Sequence, residues 1–529
     1  MEKKLFCYYG TWATYRPGNG KFGVENIDPF LCTHIIYSFL GISQDGSLKI
    51  LDEYLDLEEN WGRGNIKKFV NLKEVNPELK VFVAVGGWNE GSAGFSSVAR
   101  DSSKRQKFAN QVLQFCLDYG LDGFDVDWEY PAQRDGDFSI DKANFVLLLK
   151  ELHNKLSPKG ILLTIAVAAA ESSASISYDI PSISRYVDFI LLMTYDLHGP
   201  WDDNVGLNAP LYENDVDQTF AEKQLNVNAS VHFWVQSGAP KKKLIMGMPL
   251  YGRTFTLRDA TQTNIGSSHI GPGIAGVYTG EPGFLGYNEI CEKKMSDHWL
   301  RIWETRQQAP YIVSGKNWIS YDDMESITLK SQFVKDLELA GAMVWSIETD
   351  DFHGICGKGK YPLLNVINSI VRDGITATTV STTNSPAITN SPAITNSPTI
   401  TSAPSTSTPE SNETACDADG ALIAKSEWLD KDEFLDIIYW SRQVLGIILG
   451  IIWGTFYLKG FIALALFAAI NCGVVYVYCI NFQQIDEESY GGAWELVKEG
   501  FMTSFAGFLV TWIIFYTGLH FDSLEAKDY

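Results

Sequence analysis

Eight short apolar runs recur along the first two-thirds of the chain, at residues 5–9, 34–40, 80–86, 121–130, 161–169, 187–195, 243–251 and 341–347. Stretches with helical spacing, such as 104–119 and 141–156, lie between most of them. Short strands alternating with helices predict βαβ units and a parallel sheet. Eight such units predict an α/β fold, a (β/α)₈ barrel. The longest interval, between the seventh and eighth runs, predicts a small α+β insertion over about residues 254–323, rich in Gly and Tyr. The barrel is expected to occupy residues 1–372.

Beyond the barrel the pattern changes twice. Residues 373–415 are rich in Thr, Ser, Pro and Asn and hold a near-repeat, Asn384-Ser-Pro-Ala-Ile-Thr, Asn390-Ser-Pro-Ala-Ile-Thr and Asn396-Ser-Pro-Thr-Ile-Thr. Such a stretch cannot bury a core, so it predicts an extended linker and a candidate for O-glycosylation. Residues 416–529 begin acidic and become strongly apolar, with runs at 444–458, 460–480 and 501–521. The second and third have the length of a bilayer core and the first is shorter. Lys459-Gly460 is expected to form a tight turn between the first two. A buried hairpin of a soluble domain would show similar runs. Three of them with few internal charges predict a three-helix membrane domain in contact with the lipid bilayer.

One barrel run is interrupted by acids: Asp122-Gly-Phe-Asp125-Val-Asp127-Trp-Glu129-Tyr. Side chains alternate faces along a strand. Asp125, Asp127 and Glu129 therefore share one face, and Phe124, Val126 and Trp128 the other. Three adjacent carboxyls on an inner face lose hydration and repel one another unless they share protons. A solvated acidic strand fits poorly with Phe, Val and Trp behind it, and no His stands nearby to complete a metal site. A catalytic ladder at the C-terminal end of a barrel strand fits better. Glycoside cleavage needs an acid for the leaving oxygen. Glu129, last on the strand, is the expected donor, with its pKa raised by neighbouring carboxylates. The motif supplies no second carboxylate at nucleophile distance, as in hydrolysis assisted by the substrate's own N-acetyl oxygen. Asp127 would then orient the acetamido group, and Asp125 would exchange a proton with Asp127.

Acidic residues outnumber basic ones by 64 to 42, which argues against a nucleic-acid partner, because phosphates are bound by clustered Lys and Arg. The 15 Trp suit either large cores or sugar stacking. The eight Cys include no CxxC pair, so neither a metal nor a redox cofactor is expected. Met1-Glu-Lys-Lys opens onto only a short apolar run, not a secretory core, so either the true start lies upstream or this form is not exported. Asn228-Ala-Ser230 and Asn412-Glu-Thr414 are candidate N-glycosylation sites.

Over residues 5–372 the chain resembles family-18 glycoside hydrolases, close to chitotriosidase-like chitinases. The residues that carry the likeness are the Asp122-x-x-Asp125-x-Asp127-x-Glu129 signature, Cys7-Tyr8-Tyr9-Gly-Thr-Trp12, Val85-Gly-Gly-Trp88-Asn89, Met193-Thr-Tyr195-Asp196, Tyr251-Gly-Arg253 and Gly341-Ala-Met-Val-Trp345. The resemblance implies endo-acting, retaining hydrolysis of chitin or chito-oligosaccharides. It implies that Trp345 floors the sugar subsite at the scissile bond. Tyr195 would hydrogen-bond the acetamido carbonyl, with Asp196 and Met193 beside it. Tyr8, Trp12, Phe39, Trp88, Tyr251 and Arg253 would line the cleft, although taken singly Tyr8 and Phe39 read as core. It further implies Cys7–Cys32 and Cys291–Cys356 disulfides, a free core thiol at Cys116, and an extracellular or lumenal barrel. Against the family's pattern, neither its secretory signal peptide nor the Cys-rich chitin-binding module often found after the linker is recognised here, so binding to crystalline chitin is expected to rest on the cleft alone. A chitinase-like lectin is the alternative for the barrel, and the retained Glu129 argues against it.

From about Trp428 the chain resembles the Rab-interacting three-helix membrane family, related to small subunits of the endoplasmic-reticulum membrane complex. The likeness rests on Asp432-Glu-Phe-Leu-Asp-Ile-Ile-Tyr-Trp440, Gln484-Ile-Asp-Glu-Glu-Ser-Tyr490-Gly-Gly and Trp494-Glu-Leu-Val-Lys-Glu-Gly-Phe-Met-Thr-Ser504-Phe. It implies endomembrane localisation, membrane-complex partners, and a role in membrane-protein or respiratory-complex assembly. Lys425, Lys431, Arg442 and Lys498 on one side of the spans against Lys459 and Lys527 on the other place the flank before the first span in the cytosol. That placement opposes a disulfide-bonded barrel, and a gene model merging two neighbouring proteins would resolve the conflict.

Overall fold

The computed structural model describes residues 3–296, 298–372, 431–456, 460–483 and 500–525. The chain divides into two compact units, Met1–Ile388 and Thr389–Tyr529.

The first unit is built on a closed barrel of eight parallel strands. They are β1 (Lys4–Gly10), β2 (His34–Ile42), β3 (Lys80–Gly86), β4 (Gly123–Asp127), β5 (Leu162–Ala168), β6 (Phe189–Met193), β7 (Leu244–Pro249) and β8 (Gly341–Trp345). Pairing of β1 with both β2 and β8 closes the ring. Closure leaves no barrel edge open, so nearly every strand residue is buried.

Local chemistry sets the intervening helices. Helix Ser102–Tyr119 starts where the Asp101 side chain accepts from the Ser103 and Lys104 amides. It stops at Gly120, whose φ of 68° is a left-handed C-cap that glycine adopts at low cost. The outward residues of β4 dock on the helical layer. Phe124 meets Phe108 at 6.3 Å. Just past the strand, Trp128 stacks on Phe95 at 5.3 Å and meets Phe145 edge-on at 5.5 Å. These contacts hold the opposite, acidic face of β4 toward the barrel interior.

Between β7 and β8 lies a second, antiparallel sheet in the order His269–Pro272, Tyr251–Leu257, Asn317–Ser320, Ala309–Ser314, Leu300–Glu304, with Phe284–Gly286 paired to Tyr251–Leu257. Its first strand follows β7 almost directly. The sheet has its own small core, in which Tyr311 stacks on Trp318 at 4.7 Å. Two disulfides brace the unit, Cys7–Cys32 and Cys291–Cys356, and Cys116 is a buried free thiol.

In the second unit the described residues form helices Lys431–Thr455, Gly460–Val477 and Phe501–Glu525. Two apolar stretches, Ile437–Thr455 and Ala463–Ile480, run 19 and 18 residues, and Phe501–Thr517 is shorter. The first run, read as the short one from residue 444, instead begins at Ile437 and reaches spanning length. In sequence the charge of Arg442 cuts that run. In the structure Arg442 is buried, its guanidinium 5.8 Å from the Phe501 ring centroid, and the helix passes straight through it. The expected turn at Lys459-Gly460 lies largely outside the described residues, which resume at Gly460.

Candidate active site

At the C-terminal end of the barrel, Asp125 is fully buried. Its carboxylate accepts the Tyr8 hydroxyl at 2.7 Å and the Thr164 hydroxyl from the neighbouring position on β5. Burial raises its pKa to about 6 against the opposing effect of those two donors. Asp127 is buried as well, and its Oδ1 accepts no hydrogen bond among the described residues. Burial, then the charges of Glu129 and Asp125, push its pKa well above the usual carboxylate range.

Glu129 lies two residues beyond the end of β4, not on the strand as expected. Its pKa is pushed up to about 7, with burial as the largest cause and Asp196 adding to it. A hydrogen bond with Tyr130 and the charge of Arg134 act in the opposite direction. The sequence reading gave neighbouring carboxylates the leading part. Desolvation leads instead, because Glu129 is only 9% exposed.

Tyr195 is buried, its hydroxyl 3.7 Å from Met343 Sδ and its ring edge-on to Tyr251 at 6.0 Å. Met193 closes β6 beside it. Asp196 adopts a φ of 54°, unusual for a residue with a side chain. It is held there by two contacts: its amide donates to Asn208 Oδ1 at 2.9 Å, and its carboxylate accepts Arg253 Nε at 2.7 Å. The Trp345 ring meets Phe39 at 5.7 Å, Tyr8 at 5.4 Å and Trp12 at 6.1 Å, forming an aromatic floor drawn from three strands and a following loop. Trp88, just past β3, is 59% exposed.

The predicted cleft residues thus gather at one end of the barrel. Asn228 lies apart, in helix Val227–Gln236, and Ser230 of the same sequon is fully buried. Asn412 lies outside the described residues. Sequence reasoning missed three neighbours of the site. Thr164 donates to Asp125. Trp201, in the loop after β6, lies under the Arg253 guanidinium at 5.1 Å. Arg134 lies 4.0 Å from the centroid of the Trp88 ring. Position after a strand's C-terminal end was the available signal for Trp201 and Arg134. A lone inward Thr on a strand gives none.

The arrangement offers one carboxyl kept protonated near neutrality, two acids behind it, and exposed aromatic faces around it, which suits acid-catalysed cleavage of a sugar chain. A family model described as glycosyl hydrolases family 18 matches residues 4–350, and one described as EMC6 matches residues 437–516. Over 397 residues the chain is 43% identical to a probable chitinase 2 of Drosophila melanogaster, covering 69% of this chain and 80% of that one. It is similar to the Ostrinia furnacalis Group IV chitinase solved with allosamidin, at 48% identity and a TM-score of 0.69, covering 71% of this chain and all of that one (100%). It is also similar to human YKL-39, a pseudo-chitinase with retained chitooligosaccharide binding, at 36% identity and a TM-score of 0.65, covering 70% and 99% of the two chains. The tail keeps its likeness to EMC6, while the barrel, its acidic strand and its relatives agree on one assignment: the chain belongs to glycosyl hydrolases family 18 and is a glycoside hydrolase of the chitinase kind.

Proposed function

We propose that the barrel is an endo-acting, retaining chitinase that hydrolyses β-1,4-linked N-acetylglucosamine chains with the substrate's acetamido oxygen as nucleophile. The observation that carries this reading is the buried Asp127 Oδ1, which accepts no hydrogen bond among the described residues beside a Glu129 raised to about 7. A buried acceptor without a donor is costly. An acetamido N–H would satisfy it and, in doing so, turn the carbonyl oxygen toward the anomeric carbon. Glu129 donates its proton to the leaving oxygen, and Asp127 stabilises the charge that develops on the acetamido group. Asp125, fixed by Tyr8 and Thr164, buffers the proton on Asp127. The Tyr195 hydroxyl exchanges a thioether, a weak acceptor, for the acetamido carbonyl. Trp345 floors the reacting sugar. Trp12, Trp88, Tyr251 and Arg253 line the sites on either side. The step needs no cofactor. Glu129→Gln in the full chain is expected to lower turnover of chito-oligosaccharides by about 10²–10⁴-fold while leaving their binding largely intact. Near-normal turnover in that variant contradicts the assignment. A lectin role, as in YKL-39, predicts binding without turnover in the unsubstituted chain.

A second reading concerns the tail, and the match to EMC6 over residues 437–516 favours it. We infer that its helices embed in an endomembrane and engage partners in membrane-complex assembly, with residues 373–415 as the linker to the barrel. Whether the halves act as one protein or as the merged products of neighbouring genes is decided by a transcript spanning residues 370–430 and by the size of the native polypeptide. One full-length, membrane-extracted product makes the tail an anchor. Two separate products make each half independent.

A further inference from the structure

Arg134 lies outside the acidic motif, yet it touches two parts of the site at once. Its Nη1 donates to the Trp88 carbonyl at 2.7 Å and to the Glu129 carbonyl at 3.0 Å. Its guanidinium also lies over the Trp88 indole, 4.0 Å from the ring centroid. The backbone reaches this position through left-handed residues, with φ of 58° at Ala132 and 57° at Arg134 itself. Non-glycine residues hold that conformation only where contacts impose it. The next residue completes a clasp, because the Asp135 carboxylate accepts the Ser92 and Ala93 amides at 2.8 and 3.2 Å. Ser92 in turn donates its hydroxyl to the Tyr130 carbonyl and accepts the Trp128 indole N–H, both at 3.0 Å. The loops after β3 and β4 are therefore pinned to each other beside the acid.

We propose that Arg134 is a positioning residue that locks the Trp88 indole in register with Glu129, so that a sugar stacked on Trp88 presents its glycosidic oxygen to the acid. This rests on the hydrolase reading above. A planar guanidinium suits the task, because one face can stack while the edge donates two hydrogen bonds. It also places a fixed positive charge near the acid. The groups that shift Glu129 are Tyr130 from its own segment, Asp196 from the loop after β6, and Arg134, while Glu129 in turn bears on Asp127, Tyr178 after β5 and Tyr195 after β6. Among them Arg134 is the cation, and it favours the ionised carboxylate. Removing it leaves Glu129 protonated to higher pH.

The test compares the unsubstituted full chain with Arg134→Met and Arg134→Lys on N-acetylated chito-oligosaccharides. The Met variant is expected to move the alkaline limb of the kcat–pH profile upward. The Lys variant, which keeps the charge but not the planar fork, is expected to leave that limb in place. Both should raise KM by roughly two- to fivefold, the order of one lost hydrogen bond, because neither keeps the guanidinium fork that ties the Trp88 and Glu129 carbonyls together. Normal turnover in the unsubstituted chain with an unmoved limb and KM in the Met variant overturns this proposal alone. A lower kcat without any shift of the limb makes Arg134 a structural residue only and overturns it too. Should the Met variant fail to fold, a Lys variant with unchanged KM is sufficient to overturn it. Absence of turnover in the unsubstituted chain overturns the hydrolase reading and this proposal with it.

Discussion

A carboxyl acts as an acid only while it holds its proton, so the environment of Glu129 sets the pH range of turnover. Its pKa is raised to about 7, chiefly by burial. The protonated fraction therefore falls as pH rises through about 7, and kcat is expected to fall with it, tenfold per unit on the alkaline side. A kcat–pH profile on soluble oligosaccharides checks this, and a limb near the ordinary carboxylate range contradicts it. Much of this site was legible in the sequence, because alternation along one strand places Asp125 and Asp127 without knowledge of any other element, and the same spacing marks Glu129 two residues past the strand's end. What was not legible is non-local. The donors to Asp125 come from Tyr8 and Thr164, 117 and 39 residues away, and only barrel closure brings them together. Arg134 was hidden for another reason. It lies in a loop whose left-handed turns have no hydrophobic period to read.

At the scale of elements, the eight apolar runs became eight strands because each is short, bounded by helices and buried on both faces. The tail was harder to read. Helices there were bounded by charge, and Arg442 ended the first run on paper while packing shelters it in the folded helix. That helix carries Gly446, Gly450 and Gly454 toward helix Phe501–Glu525. A Cβ at Gly450 would lie 2.8 Å from the Thr511 Cβ and 2.9 Å from the Phe508 carbonyl. Such an approach is possible only without a side chain. Gly450→Leu is expected to destabilise the helix pair by about 1–3 kcal/mol through overpacking. Thermal unfolding of the tail in detergent, followed by circular dichroism, measures it. An unchanged midpoint would mean that the two helices do not pack closely at Gly450.

For the molecule as a whole, compartment is the deciding question. Two disulfides brace the barrel unit, which suits an oxidising space. The charge argument that placed the flank in the cytosol is weaker than the sequence suggested. With Arg442 inside the Ile437–Thr455 stretch, it sets Lys425, Lys431 and Lys498 against Lys459 and Lys527. A net charge of −22 keeps the chain away from anionic polymers and leaves a neutral, N-acetylated polysaccharide as a compatible substrate. In the proposed mechanism this substrate supplies its own nucleophile, and Glu129 supplies only the proton. Hydrolysis of matched chito-oligosaccharides, fully acetylated and fully deacetylated, tests it most directly when the anomer released is followed by NMR. The account predicts rapid cleavage of the acetylated chain with the β-anomer formed first, and negligible cleavage of the deacetylated one. Comparable rates on both, or an initial α-anomer, would contradict it.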